Sequence, residues 1–227
     1  MKLAFVIEDL SGKEMLRCLV PKIIDTDKIL GIKPYHGIGE IPPKTAMAEA
    51  FDRLGVDFGS AFQEKKNEYL LGDLSRLLRV YAETYKNESF GVIIVCDLDR
   101  KNKTCFENKL QEIINSSPLA SNAKFCLAVE EGEAWLLGDL PAIQSAYTEA
   151  KIEILSSYVN DSICGTWEKL ADAIYPGGST ALCKKTDNEI GKCKCDWAKN
   201  IAPLMDVDNN QSPSFRHFKE TVETLVE

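Results

Sequence analysis

The amino-acid sequence predicts an α/β fold in which a mostly parallel sheet is flanked by helices. Three apolar segments of strand length support this prediction, at residues 2–7, 90–96 and 123–129. The six residues from 91 to 96 are apolar or small and mostly β-branched, which is typical of a strand covered on both faces. Each segment runs into acidic residues and is then followed by a helical pattern. This repeated order of strand, acid and helix is typical of a parallel sheet with helical connections.

The segments between these strands have helical or turn-like patterns. Ser11 and Glu14 form a capping-box pattern that begins a helix running through Ile24. Six glycines and prolines between residues 25 and 43 predict a loop or an irregular connection. Further helices are predicted at 45–54, at 63–85 and around 106–115.

The chain beyond Pro141 contains no predicted strand. Its helices are predicted at 142–158, 166–174, 196–205 and 214–226. We therefore expect a core formed by residues 1–140 and a helical extension, residues 141–227, that packs on this core and is not an independent domain.

Length, hydropathy and charge narrow the classes of function. The 227 residues contain no apolar run long enough to cross a bilayer, and the apolar stretch at residues 3–7 is too short for a signal peptide. We therefore expect a cytoplasmic protein without membrane partners. The net charge of −8 is unusual for a free-standing nucleic-acid binder, which normally presents a basic face. If the chain acts on DNA or RNA, metal ions or a partner protein must contribute part of the binding to the nucleic acid.

The eight cysteines fit a reducing compartment. Cys96 and Cys126 fall within predicted strands and are expected to be small buried apolar residues. The remaining question is whether zinc binds to a looser group, Cys183, Cys193 and Cys195. Its spacing is not that of paired Cys-x2-Cys motifs, and His36 and His217 are the only histidines, so we set zinc aside.

Acidic residues follow all three predicted strands. Glu8 follows the first strand, and Asp97 and Asp99 follow the central one. Glu131 and Glu133 follow the third strand, whereas alternation along the chain turns Glu130 away from them. Open α/β sheets place ligand sites beyond the carboxyl ends of their strands, so these side chains are candidates for a shared site.

Simpler roles exist for the same acids. Asp97 and Asp99 would also suit a strand-ending turn or a helix cap. Glu8, and one of the pair Glu131 and Glu133, would also suit the first turn of a helix, where negative charge complements the helix dipole.

Convergence of these five acids would demand a counter-charge. Two like charges about 4 Å apart repel by about 4 kcal/mol at an effective dielectric constant of about 20. Either some of the carboxyl groups are protonated, as in a carboxylate dyad, or divalent cations lie between them. Oxygen ligands without histidine favour Mg2+ or Mn2+ over zinc, and two such ions could clamp the oxygens of a phosphodiester. A lysine of the helical extension is then a candidate to stabilise the charge that develops on the leaving group.

The arrangement resembles a TOPRIM domain, which has a glutamate after its first strand, Asp-x-Asp after a later strand and a third acidic position. It is most similar to an uncharacterised TOPRIM-like family related to the OLD-type nucleases, whose members often accompany ATPases in bacterial defence loci. The matching segments are residues 6–11, 96–99, 131–137, 197–202 and 212–218, which together span nearly the whole chain. The resemblance implies a TOPRIM-like, Rossmann-like core and a catalytic metal site.

The chain departs from this family pattern at one acidic position. OLD-type nucleases have a second acid four residues after the first glutamate, where this chain has Gly12. Either metal binding on that side is weakened, or Glu14 substitutes through a shifted turn. The family also carries a lysine just before the C-terminal helix, for which Lys194 fits best and Lys185 second. Trp135 is expected to pack in the core and not to stack on a substrate.

Two hypotheses of function follow. In the first, the chain is a Mg2+- or Mn2+-dependent nuclease or nicking enzyme, with DNA favoured over RNA as the substrate. Glu8, Asp97 and Asp99 and one of Glu131 and Glu133 would hold the metal, Lys194 would stabilise developing charge, and water would attack. In the second, the TOPRIM-like core is a non-catalytic regulatory or binding subunit of an ATPase complex. Assembly into a homo-oligomer is compatible with both.

Overall fold

A parallel sheet lies at the centre of the computed structural model, which describes residues 1–40, 69–162 and 165–227. Within these residues the sheet has four strands: β1 (Lys2–Ile7), β2 (Ile29–Pro34), β3 (Phe90–Asp97) and β4 (Ala123–Ala128). Their order is β2-β1-β3-β4, and every neighbouring pair is parallel. Helices flank the sheet on both faces, so the predicted α/β class with its parallel sheet is confirmed.

Strand β2 corrects the prediction of a loop over residues 25–43. Ile29–Pro34 pairs with β1, with Ile32 opposite Phe5. This edge strand is only partly buried, so its sequence lacks the continuous apolar run that marks a fully covered strand. Pro34 ends the strand, a position that suits its missing N–H because β2 has no further neighbour among the described residues.

The helices are α1 (Leu10–Ile23), α2 (Leu70–Thr84), α3 (Lys103–Asn115), α4 (Glu133–Leu137), α5 (Leu140–Ala146), α6 (Ile152–Ser156), α7 (Thr166–Ile174), α8 (Gly178–Leu182), α9 (Asp187–Ile201) and α10 (Pro213–Val226). Short 3-10 turns occupy Thr26–Lys28 and Ala202–Leu204. The predicted helix at 45–54, and residues 63–68 of the one at 63–85, lie outside the described residues.

Two of the predicted helices have different limits. The helix predicted at 142–158 is two short helices, because the Lys151 N–H donates to the Ala173 carbonyl of α7 and so leaves the helical ladder. The helix predicted at 196–205 consists of the last six residues of α9 and the 3-10 turn at Ala202–Leu204. Helix α9 begins nine residues earlier than predicted, at a capping box formed by Thr186 and Glu189.

The start of α1 also differs from the prediction. Its N-cap is Asp9, whose carboxylate accepts the Gly12 N–H at 2.7 Å and the Ser11 hydroxyl at 2.6 Å. Ser11 therefore does not cap the helix, and the predicted capping box of Ser11 and Glu14 is wrong. Glu14 pairs with Arg17 one turn further along, at 3.3 Å.

Each face of the sheet is covered by its own hydrophobic cluster. One cluster contains the buried faces of α1, α9 and α10, and the other contains those of α2 and α3. Trp135 is completely buried in the first cluster against Phe215 and Phe218, which confirms its predicted packing role. Cys96 and Cys126 are buried free thiols, also as predicted. In the described part of the chain no helix is sufficiently long and apolar to cross a membrane.

The helices that follow β1 and β3 lie on opposite faces of the sheet. The chain leaves β1 through α1 on one face and leaves β3 through α3 on the other. The carboxyl ends of β1 and β3 therefore flank the topological switch point, the place at which open α/β sheets bind their ligands.

Candidate functional site

Glu8 directly follows β1 and Asp97 is the last residue of β3, so both lie at the ends of the strands that flank the switch point. Ile7 is opposite Val95 in the sheet, so β1 and β3 end at the same edge within about two residues. The Asp97 N–H donates to Glu8 Oε2 at 3.0 Å, which holds the glutamate against the end of β3. Both residues are partly buried. Two carboxylates far apart in sequence are thereby brought together.

Burial and mutual repulsion disfavour the state in which Glu8 and Asp97 are both ionised. Burial raises the pKa of Glu8 to about 7, and the nearby charges of Asp99 and Asp9 act in the same direction. The pKa of Asp97 is also raised well above its usual range, first by burial and then by Glu8. Near neutral pH the pair therefore favours either a bound proton or a nearby cation.

Asp99 lies in the turn after β3, and its charge acts on Glu8. It has a φ of +48°, a left-handed conformation that aspartate tolerates better than most residues, and its side chain is 43% exposed. Its carboxylate forms an ion pair with Lys101, whose ammonium also lies 5.3 Å from the centre of the Phe106 ring. Lys101 was not among the predicted site residues, although it follows Asp99 by only two positions.

Glu131, Glu133 and Lys194 form a buried ion cluster at the same edge. Lys194 Nζ is 3.2 Å from Glu133 Oε2 and 3.6 Å from Glu131 Oε2. Burial raises the pKa of Glu131 to about 8 although Lys194 lowers it, and the pKa of Glu133 is also raised by burial. Burial alone would lower the pKa of Lys194, but Glu133, Glu131 and Asp97 raise it above its usual range.

Lys194 occupies a different setting from the one predicted. It is the middle residue of α9, which residues 202–212 separate from the C-terminal helix α10, and its side chain is only 14% exposed. The second candidate, Lys185, pairs with Glu189 of the same helix at 3.6 Å and is exposed. The lysine that reaches the acids is therefore Lys194.

The acids at this edge form two subgroups. Glu8 and Asp97 form one, and Glu131 and Glu133 share Lys194 in the other; Asp97 interacts electrostatically with Lys194 and Glu133 and so connects the two. Within residues 1–40, 69–162 and 165–227, no three acidic, histidine or cysteine side chains converge in a geometry that would hold a metal ion. Glu131 Oε2 and Glu133 Oε2 are buried, and among the described residues no donor other than the Lys194 ammonium is placed to bond them.

Asp9 and Gly12 shape the turn between β1 and α1, next to Glu8. Asp9 caps α1 and also raises the pKa of Asp97 and Glu133, so it belongs to the site's electrostatics. The N-cap pattern Asp9-x-x-Gly12 could have identified it from the sequence. A Cβ atom at Gly12 would lie 2.5 Å from Ile7 Cδ1, so the second acid of the family pattern would require Ile7 to move.

Glu130 fixes the loop that carries Glu131 and Glu133. Its carboxylate accepts the backbone N–H groups of Gly165 and of Thr166, the latter at 2.6 Å, at the start of α7. Its own carbonyl accepts the Asp99 N–H at 2.8 Å, and its φ is +63°. Its side chain is thus bound to the start of α7, whereas those of Glu131 and Glu133 contact Lys194. One residue thus connects the loops after β3 and β4 with the start of α7.

Replacing Glu130 with glutamine should loosen this loop. Glutamine places an NH2 group where one of two N–H donors now meets a carboxylate oxygen, so we expect the free energy of unfolding to fall by about 1–3 kcal/mol. Amide hydrogen exchange should become faster in residues 129–133. The exposed Glu153→Gln of α6 is the matched control, and equal exchange in both variants would contradict the assigned role.

Comparisons of the chain with protein-family models, with curated proteins and with solved structures gave no match.

Proposed function

We propose that this chain is a Mg2+- or Mn2+-dependent phosphodiester hydrolase of TOPRIM type, a nuclease or nicking enzyme that acts on DNA in preference to RNA. The observation that carries this proposal is the position of Glu8 and Asp97. They are partly buried carboxyl groups of like charge at the ends of the two strands that flank the switch point. Such a pair favours a cation between the strand ends.

The available donors suit a hard divalent ion. Magnesium usually keeps several waters and is bound through one or two carboxylates together with substrate phosphate. Glu8 and Asp97 would supply these carboxylates, with Asp99 nearby. The bound ion would polarise the phosphate and lower the pKa of a water molecule.

The lysines at this edge would act on the phosphate itself. Lys194 is a buried ammonium close to Asp97, and Lys101 lies beside Asp99. Positive charge that is held in place in a poorly solvated site stabilises the negative charge that develops on a phosphoryl group. These two residues also offset the acidic surroundings, which would otherwise repel a nucleic acid.

Asp97→Asn tests the proposal directly. Supercoiled plasmid is incubated with purified protein and Mn2+, and conversion to nicked or linear DNA is followed on a gel. We expect Asp97→Asn to reduce the rate about 100-fold or more, because it removes a carboxylate from the metal site. Asp27→Asn makes the same charge change at an exposed position and should cleave like the wild type. Cleavage that is undiminished in Asp97→Asn would reject the proposal.

A second candidate function is a non-catalytic regulatory subunit of an ATPase complex. Two observations favour it: the place of the second family acid is taken by Gly12, which is closely packed against Ile7, and a lysine is paired with two of the remaining acids. The net charge of −8 favours a partner protein under either hypothesis. Wild-type protein that binds Mn2+ without cleaving plasmid, alone or with an ATPase partner, would support this candidate.

A further inference from the structure

We propose that Lys194 takes the place of a second metal ion, so that the site binds one divalent cation at Glu8 and Asp97 and none at Glu131 and Glu133. This inference rests on the proposed function in one respect, that Glu8 and Asp97 bind the ion. It goes further by fixing how many ions the acidic edge accepts and which residue sets that number.

The ammonium group of Lys194 lies beside both glutamates. Lys194 Nζ is within 3.6 Å of one carboxylate oxygen of each glutamate, so it lies where a cation shared by both would have to lie. The same two oxygens, Glu131 Oε2 and Glu133 Oε2, are buried and have no other donor placed to bond them among the described residues. The lysine is therefore the only counter-charge that the described residues supply to them by direct contact.

The positive charge of Lys194 would repel a second metal ion at Glu131 and Glu133. In two-metal sites the ions lie about 3.5–4 Å apart and share bridging ligands. An ion between Glu131 and Glu133 would have to displace an ammonium group whose side chain is only 14% exposed, or share the space with it. Burial would strengthen the repulsion between the two cations, because water screens them poorly there.

Lys194 is held in place by the packing of its helix. It belongs to α9, which packs along α1, and its neighbours Trp197 and Ala198 are buried in the cluster on that face of the sheet. The backbone of this lysine is thus part of the core. Because the lysine cannot leave with a loop, its charge stays at the acidic edge.

The experiment is a count of bound ions. Metal-free full-length protein is titrated with Mn2+ in a calorimeter, and the free ion is counted independently by electron paramagnetic resonance. We expect one Mn2+ per chain in the wild type and two in Lys194→Met, because methionine keeps the apolar stem but exposes Glu131 and Glu133 to the metal. Lys192→Met, an exposed lysine of the same helix, is the matched control and should bind one.

The outcomes separate this inference from the proposed function. Two ions in the wild type would overturn the inference alone, and so would one ion in Lys194→Met. No ion in the wild type would remove the metal site itself and the proposed function with it. If Lys194→Met does not fold, Glu133→Gln decides the question. Its affinity for Mn2+ should stay within about threefold of the wild type, whereas a loss of more than about tenfold, the effect of removing a ligand, would overturn the inference.

Discussion

Replacing Lys194 with methionine is expected to lower the free energy of unfolding of the metal-free protein at pH 8 by about 3–5 kcal/mol, the usual effect of removing one partner of a buried ion pair. The side chains of Glu131 and Glu133 are 19% and 3% exposed, and both lie within 3.6 Å of the ammonium. Without it, two buried carboxyl groups lose their counter-charge. Methionine fills a similar volume, so the variant isolates charge from packing. Urea unfolding followed by circular dichroism measures the loss.

The pH dependence of this loss distinguishes charge from packing. In the wild type, burial already raises the pKa of Glu131 to about 8, and removal of the lysine would raise it further. At pH 5 Glu131 of the variant should therefore be protonated and need no counter-charge, so the difference from the wild type should shrink. Lys192→Met should change stability by less than about 0.5 kcal/mol at either pH, as exposed surface substitutions usually do. An equal loss at pH 5 and pH 8 would show that Lys194 acts through packing.

The metal-free wild type should become less stable as the pH rises from about 5 to about 8. The pKa of Glu8 is raised to about 7 and that of Glu131 to about 8, above the value of 4.5 that both have when unfolded. At pH values between 4.5 and these raised pKa values, the native state holds protons that the unfolded state has released. Stability therefore falls with rising pH, by up to about 1.4 kcal/mol per pH unit for each such group. The raised pKa of Lys194 does not alter this window, because its contribution is lost only above about pH 10.5.

Unfolding by urea at several pH values, in the presence of EDTA, measures this slope. Excess Mg2+ or Mn2+ should reduce it, because a bound ion replaces the proton between Glu8 and Asp97. Asp97→Asn should also reduce the slope and should make the metal-free protein more stable than the wild type at pH 8, since it removes one of two repelling charges. Stability that rises between pH 5 and pH 8 would contradict the assigned electrostatics of the site.

Sequence patterns were sufficient where structure is local or fully buried. The strands at 2–7, 90–97 and 123–128 and the helices at 166–174 and 213–226 were predicted closely, because each carries its own apolar period and terminal signals. The half-exposed edge strand β2 was missed, since its pattern is set by its neighbour and not by its own composition.

The chain alone thus determined an α/β fold with acids at the ends of its strands. Only the tertiary structure decided which acids meet. Glu8 and Asp97 lie together because β1 and β3 are neighbours in the sheet, although 89 residues separate them. Lys194 reaches Glu131 and Glu133 because α9 packs against α1. Glu130 joins two loops because the start of α7 lies beside it. Local sequence encodes torsion and hydrophobic periodicity, whereas the partner of a charge depends on which elements pack together.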